Sequence, residues 1–150
     1  GSKFTLSLPN QLNHNETKEF EKEIVEKSIL PNLVTKVYII EDDILFSELL
    51  KKKIESNNIQ VKCFHNGNDF VASLENEIPD AIVLDINLPD ISGWEVLKTI
   101  RNNPRTESIK IHIISGNTIE PNNNEIDSFH RKPFDLKIFD DLFKSKENSI

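Results

Sequence analysis

The sequence predicts an α/β fold, a doubly wound parallel sheet with helices on both faces, on three observations. From residue 36 onward, short runs rich in Val, Ile, Leu and Phe alternate with segments of helical period, the order that builds strand–helix–strand crossovers. The runs are close to continuously apolar, as strands covered on both faces are. Four runs also stop at a polar group: Val37-Tyr38-Ile39-Ile40 at Glu41-Asp42-Asp43, Ala81-Ile82-Val83-Leu84 at Asp85, residues 109–114 at Ser115, and the short run from Phe129 at Lys132-Pro133. In a parallel sheet those ends share one edge, and ligands bind there where the strand order reverses.

Residues 36–41 read as the first strand. Asp43 can cap a helix over 43–56, with Leu45, Leu49, Leu50 and Ile54 as its apolar face. A second strand over 59–64 ends at Asn66-Gly67, and residues 69–76 form a short helix. Pro79 and Asp80 lead into the third strand, 81–84. A loop with Pro89 and Gly93 precedes a helix over 94–102, anchored on the sheet by Trp94 and stopped before Pro104. Residues 109–114 make the fourth strand and 129–131 a short fifth, after which Asp135 caps a last helix to about residue 144. Between those two strands Pro121 and Asn122-Asn123-Asn124 oppose a helix, leaving at most a turn over 125–128.

The segment before residue 35 differs in character. Phe4, Leu6 and Leu8 alternate with Thr5 and Ser7 and stop at Pro9, a strand pattern. Residues 16–30 read as a helix with Phe20, Ile24 and Ile29 near one face and the charge pairs Lys22–Glu26 and Glu23–Lys27. Pro31-Asn32 closes what reads as a linker. The expected division is 1–34 for strand and linker, 35–146 for the α/β domain, and 147–150 for a tail.

At 150 residues and 17.3 kDa the chain can bury one full core plus a short extension. A net charge of -7 argues against a nucleic-acid surface, which needs clustered Lys and Arg. No apolar stretch reaches membrane-spanning length and no signal segment opens the chain. The lone Cys63, in an apolar run, excludes an internal disulfide and is expected to be a buried thiol. A cytoplasmic setting follows from these features. The four histidines lack zinc-ligand spacing, and nucleophile-elbow, P-loop and dinucleotide-glycine patterns are missing.

What the strand ends would bring together is carboxylates, a hydroxyl and a lysine. That set suits holding a divalent cation and accepting a phosphoryl group. A carboxylate such as Asp85 can attack phosphorus and form a mixed anhydride. Repulsion opposes it, because two unit charges ~4 Å apart interact by about 4 kcal/mol at an effective dielectric near 20. A cation turns that cost into attraction.

Taken in order, Ile39-Ile40-Glu41-Asp42-Asp43, Leu84-Asp85-Ile86-Asn87-Leu88-Pro89 with Gly93, Ser115-Gly116 and Lys132-Pro133-Phe134 resemble a response-regulator receiver domain over residues 36–144. The resemblance implies a flavodoxin-like fold of five βα units, strand order 2-1-3-4-5, here with a reduced fourth helix; that order comes with the family and is not read from periodicity. It implies Asp85 as phosphoacceptor. Asp42 and Asp85 would bind Mg²⁺ directly, the Asn87 backbone carbonyl would add a ligand, and Glu41 would act through water. Lys132, before a candidate cis Pro133, would neutralise phosphoryl oxygens from the opposite side. The Ser115 hydroxyl would move to the phosphoryl group and the Phe129 rotamer would follow, a switch with Phe where a phenol is otherwise available. The reduced helix puts in question a surface through which many transcriptional receivers dimerise.

Residues 1–9 resemble the closing strand of a histidine-kinase ATP-binding domain. The favoured reading is therefore the C-terminal receiver of a hybrid histidine kinase, with a phosphohistidine domain as donor, no nucleic-acid partner and no membrane contact by this segment. Three alternatives stand beside it, the first a non-phosphorylated pseudo-receiver used for docking, which is disfavoured because no site residue is missing. A stand-alone single-domain regulator would act by binding a target protein. A haloacid-dehalogenase-type phosphatase would need a second Asp where Asn87 stands, and its nucleophile normally ends the first core strand, not the third.

Overall fold

The computed structural model describes residues 33–116 and 124–143. The readings made on the kinase-like strand, the linker helix, the tail and most of the reduced fourth helix lie outside the described residues. Within them the chain runs β1 (Lys36–Ile40), α1 (Ile44–Glu55), β2 (Gln60–Phe64), α2 (Gly67–Ser73), β3 (Ala81–Asp85), α3 (Gly93–Arg101), β4 (Lys110–Ser115), β5 (Ser128–Arg131) and α4 (Ile138–Leu142). The strands form one parallel sheet in the order β2-β1-β3-β4-β5. The expected flavodoxin-like α/β architecture is therefore the observed one.

Strand alternation splits the core into two layers. Tyr38, Ile40, Ile82, Leu84, Ile111 and Ile113 meet Phe70 of α2 and Val96, Leu97 and Ile100 of α3. Val37, Ile39, Val83 and Ile114 meet Leu50 and Ile54 of α1 and Phe139 of α4. A fully buried Leu, Ile or Phe side chain contributes about 1.5–3 kcal/mol, so both faces of β1 and β3 are strongly held. The order reverses between β1 and β3, where Ile40 pairs with Leu84. Glu41 and Asp85, each one residue further on, therefore emerge side by side.

Several local expectations need correction. The buried face of α1 is Ser47, Leu50 and Ile54 with half-buried Phe46, while Leu45 is 80% and Leu49 54% exposed. Leu50 and Ile54 are buried as expected and Asp43 caps the helix as expected, but Phe46 and Ser47, not Leu45 and Leu49, share that face. Trp94 is exposed in the first turn of α3 and does not serve as a buried anchor. Asp135 caps no helix: its carboxylate accepts the Lys137 N–H in a turn, and α4 begins at Ile138. Cys63 is half-buried, burial pushing its thiol pKa up.

Candidate active site

The site forms because β1 and β3 both end on acids at the point where the sheet reverses. Glu41 and Asp85 are almost fully buried, and Asp42 is exposed. One carboxylate oxygen from each of the three lies within 4.8 Å of the others. Lys132, just past β5, reaches in from the far side; its Nζ is 2.6 Å from Glu41 Oε1 and 3.3 Å from Asp85 Oδ2. Its backbone N–H donates to the Ser115 carbonyl at 2.7 Å, and the Lys132–Pro133 bond is cis. Two backbone groups orient the acids: the Asp43 N–H donates to Glu41 Oε2 and the Asn87 N–H to Asp85 Oδ1, each at 3.0 Å.

The loop after β3 is fixed by close packing. A Cβ on Gly93 would meet the Asp85 carbonyl oxygen at 2.6 Å and Ile86 Cα at 2.7 Å, both backbone atoms. The residue must be glycine for the Gly93 N–H to reach the Ile86 carbonyl at 2.9 Å. From the other side, Asp90 accepts the Gly67 and Asn68 N–H groups at 2.8 and 2.7 Å, tying the loop to the start of α2. An open cleft of about 560 Å³ runs along this loop, lined by Asp42, Asn87, Asp90, Ser92 and Trp94 among others.

Electrostatically the cluster is unfinished. Burial pushes the Glu41 carboxyl up to about 7, and the charge of Asp85 adds to that; the Lys132 and Asp43 hydrogen bonds pull the other way without prevailing. Burial also works against the Lys132 ammonium, but Glu41 and Asp85 outweigh it and the amine is shifted upward. Once all three carboxylates are ionised, they outnumber the one ammonium by two negative charges. Oxygen-only donors, two buried and one open to water, fit a small hard cation that keeps part of its hydration shell.

Ser115 ends β4, buried, and Phe129 is level with Ile113 on the neighbouring strand, half-buried against the α2–α3 layer. The structure thus brings Glu41, Asp42, Asp85 and Lys132 into contact range. Asn87 lines the adjoining cleft, and Ser115 is joined to Lys132 through the backbone. Sequence reasoning missed Asp90 and also Phe46, whose ring centroid is 4.9 Å from Lys132 Nζ. Phe46, Leu50 and Ile54 recur at four-residue spacing, a signal that could have found Phe46; nothing local marks Asp90.

The parallel sheet thus carries at one edge an acid cluster, an opposed lysine and a strand-end hydroxyl. The sequence profile of the response regulator receiver domain matches residues 37–140, more than half of the chain, and the chain belongs to that family. It is 31% identical over 105 residues to the transcriptional regulatory protein CrdR of Helicobacter pylori, covering 67% of this chain and 49% of that protein. To the phosphate regulon transcriptional regulatory protein PhoB of Rhizobium meliloti it is 29% identical over 83 residues, 55% of this chain and 37% of that one. The chain thus spans half or less of the length of these relatives. A CheY-like receiver domain from Methylobacillus flagellatus superposes with a TM-score of 0.64 at 25% identity, covering 73% of this chain and 98% of that one. A sensor protein from Polaromonas sp. JS666 has the same fold, with a TM-score of 0.67 at 23% identity over 77% and 98% of the two chains. Among the described residues no helix is long and apolar enough to cross a membrane.

Proposed function

We propose that this chain takes a phosphoryl group from a phosphohistidine onto Asp85 in a Mg²⁺-dependent reaction. The observation that carries the reading is the convergence of Glu41, Asp42 and Asp85 within 4.8 Å of one another, with Lys132 Nζ bonded into the same group. Asp42 and Asp85 would hold Mg²⁺ directly, with the Asn87 carbonyl as a further ligand and Glu41 acting through water. Bound there, Mg²⁺ supplies charge neutralisation that lets two anions approach. Asp85 attacks phosphorus in line; the P–N bond to the donor imidazole breaks as the Asp85 O–P bond forms, and the imidazole leaves with the bonding pair. Lys132 neutralises oxygen charge as the group arrives. The buried hydroxyl of Ser115 would then turn toward the new phosphoryl oxygen, with Phe129 following.

The donor would dock beside this pocket. Ile44, Leu45 and Leu49 are 61%, 80% and 54% exposed, and α1, which carries them, starts right after the acids. That apolar strip suits a phosphohistidine-bearing domain or histidine phosphotransfer protein. The parent is proposed to be a hybrid histidine kinase, supported by the kinase-like pattern of residues 1–9, with residues 1–34 as remnant and linker, 35–146 as receiver and the segment held in the cytoplasm. A second reading, a transcriptional regulator as parent, is favoured by the names of the two curated relatives. The net charge of -7 supports the proposal that this segment itself avoids nucleic acid.

Acetyl phosphate with Mg²⁺ should label the wild type and leave Asp85→Asn unlabelled; equal labelling would take the acceptor role from Asp85. Beryllofluoride should bind only when Mg²⁺ is present, and binding without it would contradict the coordination.

A further inference from the structure

We infer that Phe46 is a positioning residue for Lys132, its ring face forming the third wall of the ammonium's site. The inference rests on the reading of Lys132 as the group that neutralises phosphoryl oxygens. An ammonium has three N–H donors. Glu41 takes one at 2.6 Å and Asp85 another at 3.3 Å. On the remaining side the Phe46 ring lies with its centroid 4.9 Å from Nζ, inside the ~6 Å range in which a cation is drawn to an aromatic face. The ring is itself held. Phe134 meets it edge-on at 5.9 Å, Phe139 backs Phe134 at 5.8 Å, and the Phe46 N–H is capped by Asp43 at 3.1 Å.

A phenyl face does something no carboxylate in this pocket can. It attracts the cation without offering a lone pair, so it takes no N–H away from an incoming anionic oxygen. It also keeps water off one side of the amine. Lys132 can therefore release Glu41 and turn to a phosphoryl oxygen while its approach stays fixed. The plain alternative is that Phe46 is only a packing residue of α1.

A double-mutant cycle separates the two. Phosphorylation of the full chain by acetyl phosphate with Mg²⁺ is compared in wild type, Phe46→Leu, Lys132→Ala and the double variant. Phe46→Leu should slow transfer about threefold when Lys132 is present and change nothing in the Lys132→Ala background. Equal slowing in both backgrounds overturns the inference and leaves the role of Lys132 intact. A Lys132→Ala chain as fast as wild type overturns that role first, and the inference with it. An independent readout needs no metal or donor: ring current should shift the Lys132 Hε resonances upfield in the wild-type protein, and Phe46→Leu should abolish the shift. Unshifted resonances in the wild type overturn the placement. If Phe46→Leu does not fold, Phe46→Met, an unbranched gap-filler without a ring, takes its place with the same expected outcomes.

Discussion

At the carboxyl edge of β1 and β3, Glu41 and Asp85 face each other across a single ammonium, whereas on β4 and β5 His112, Ser128 and His130 form a closed hydrogen-bonded row. His112 Nδ1 is 2.6 Å from Ser128 Oγ, and that oxygen is 2.8 Å from His130 Nε2. With both imidazoles neutral, the Ser128 hydroxyl can donate to one ring and accept an N–H from the other. Burial pushes His112 down to about 4 and lowers His130 as well. The Phe143 ring meets His112 edge-on at 5.2 Å, and the rings of Phe134 and Phe139 flank His130. In one cluster neutral donors and acceptors pair with each other; the other carries surplus negative charge that the protein alone does not balance. Buried polar groups stabilise a fold when they close on themselves, and a site built to take a cation must leave that closure to its ligand.

The difference has a sign that pH reveals. The folded-state pKa of His112 is below its ordinary 6.5, so the unfolded chain binds the extra proton between pH 6.5 and about 4. Its contribution is fully present above 6.5 and is lost as pH falls through that window. Glu41 is raised from 4.5 to about 7, so here the folded chain binds the extra proton. Its contribution is fully present below 4.5 and is lost as pH rises through 7.

The largest effect should come from the closed row. Relative to His112→Phe, which cannot protonate, wild type should lose about 3 kcal/mol between pH 6.5 and 4; parallel urea-unfolding curves for both across that range would refute the assignment. Next, Ser128→Ala strands the ring nitrogens and should cost about 2 kcal/mol at pH 7, seen as a lower Tm with acetyl phosphate labelling retained. An unchanged Tm would mean the row contributes nothing. Smallest is Glu41→Gln, which loses a Lys132 partner but relieves the acid crowding. Without added Mg²⁺ it should raise stability at pH 8, where Glu41 is ionised, and leave it nearly unchanged at pH 5. A gain equal at both pH values would show that charge is not the cause.

How far these features could be read beforehand follows from whether their cause is local. The apolar runs of β1 and β3 and their terminal acids are contiguous in sequence, so strand, edge and acid cluster were legible. Lys132 was legible through the order of motifs, though its 2.6 Å contact with Glu41 spans the sheet. The face of α1 was half legible, with Leu50 and Ile54 buried; Leu45 and Leu49 are as apolar as Leu50, and only packing on the sheet decides which is buried. Asp90 acts on α2, and Ser128 on rings from two strands. Such pairings are set by tertiary placement, and no periodicity announces them.

Gly93 carries no chemistry, yet it governs the geometry of its neighbours. With Asp85 O and Ile86 Cα 2.6 and 2.7 Å from where a methyl would begin, even alanine would have to lever the β3–α3 segment outward, and Asn87 would travel with it. The acid cluster is thus guarded by a vacant methyl position eight residues downstream of Asp85.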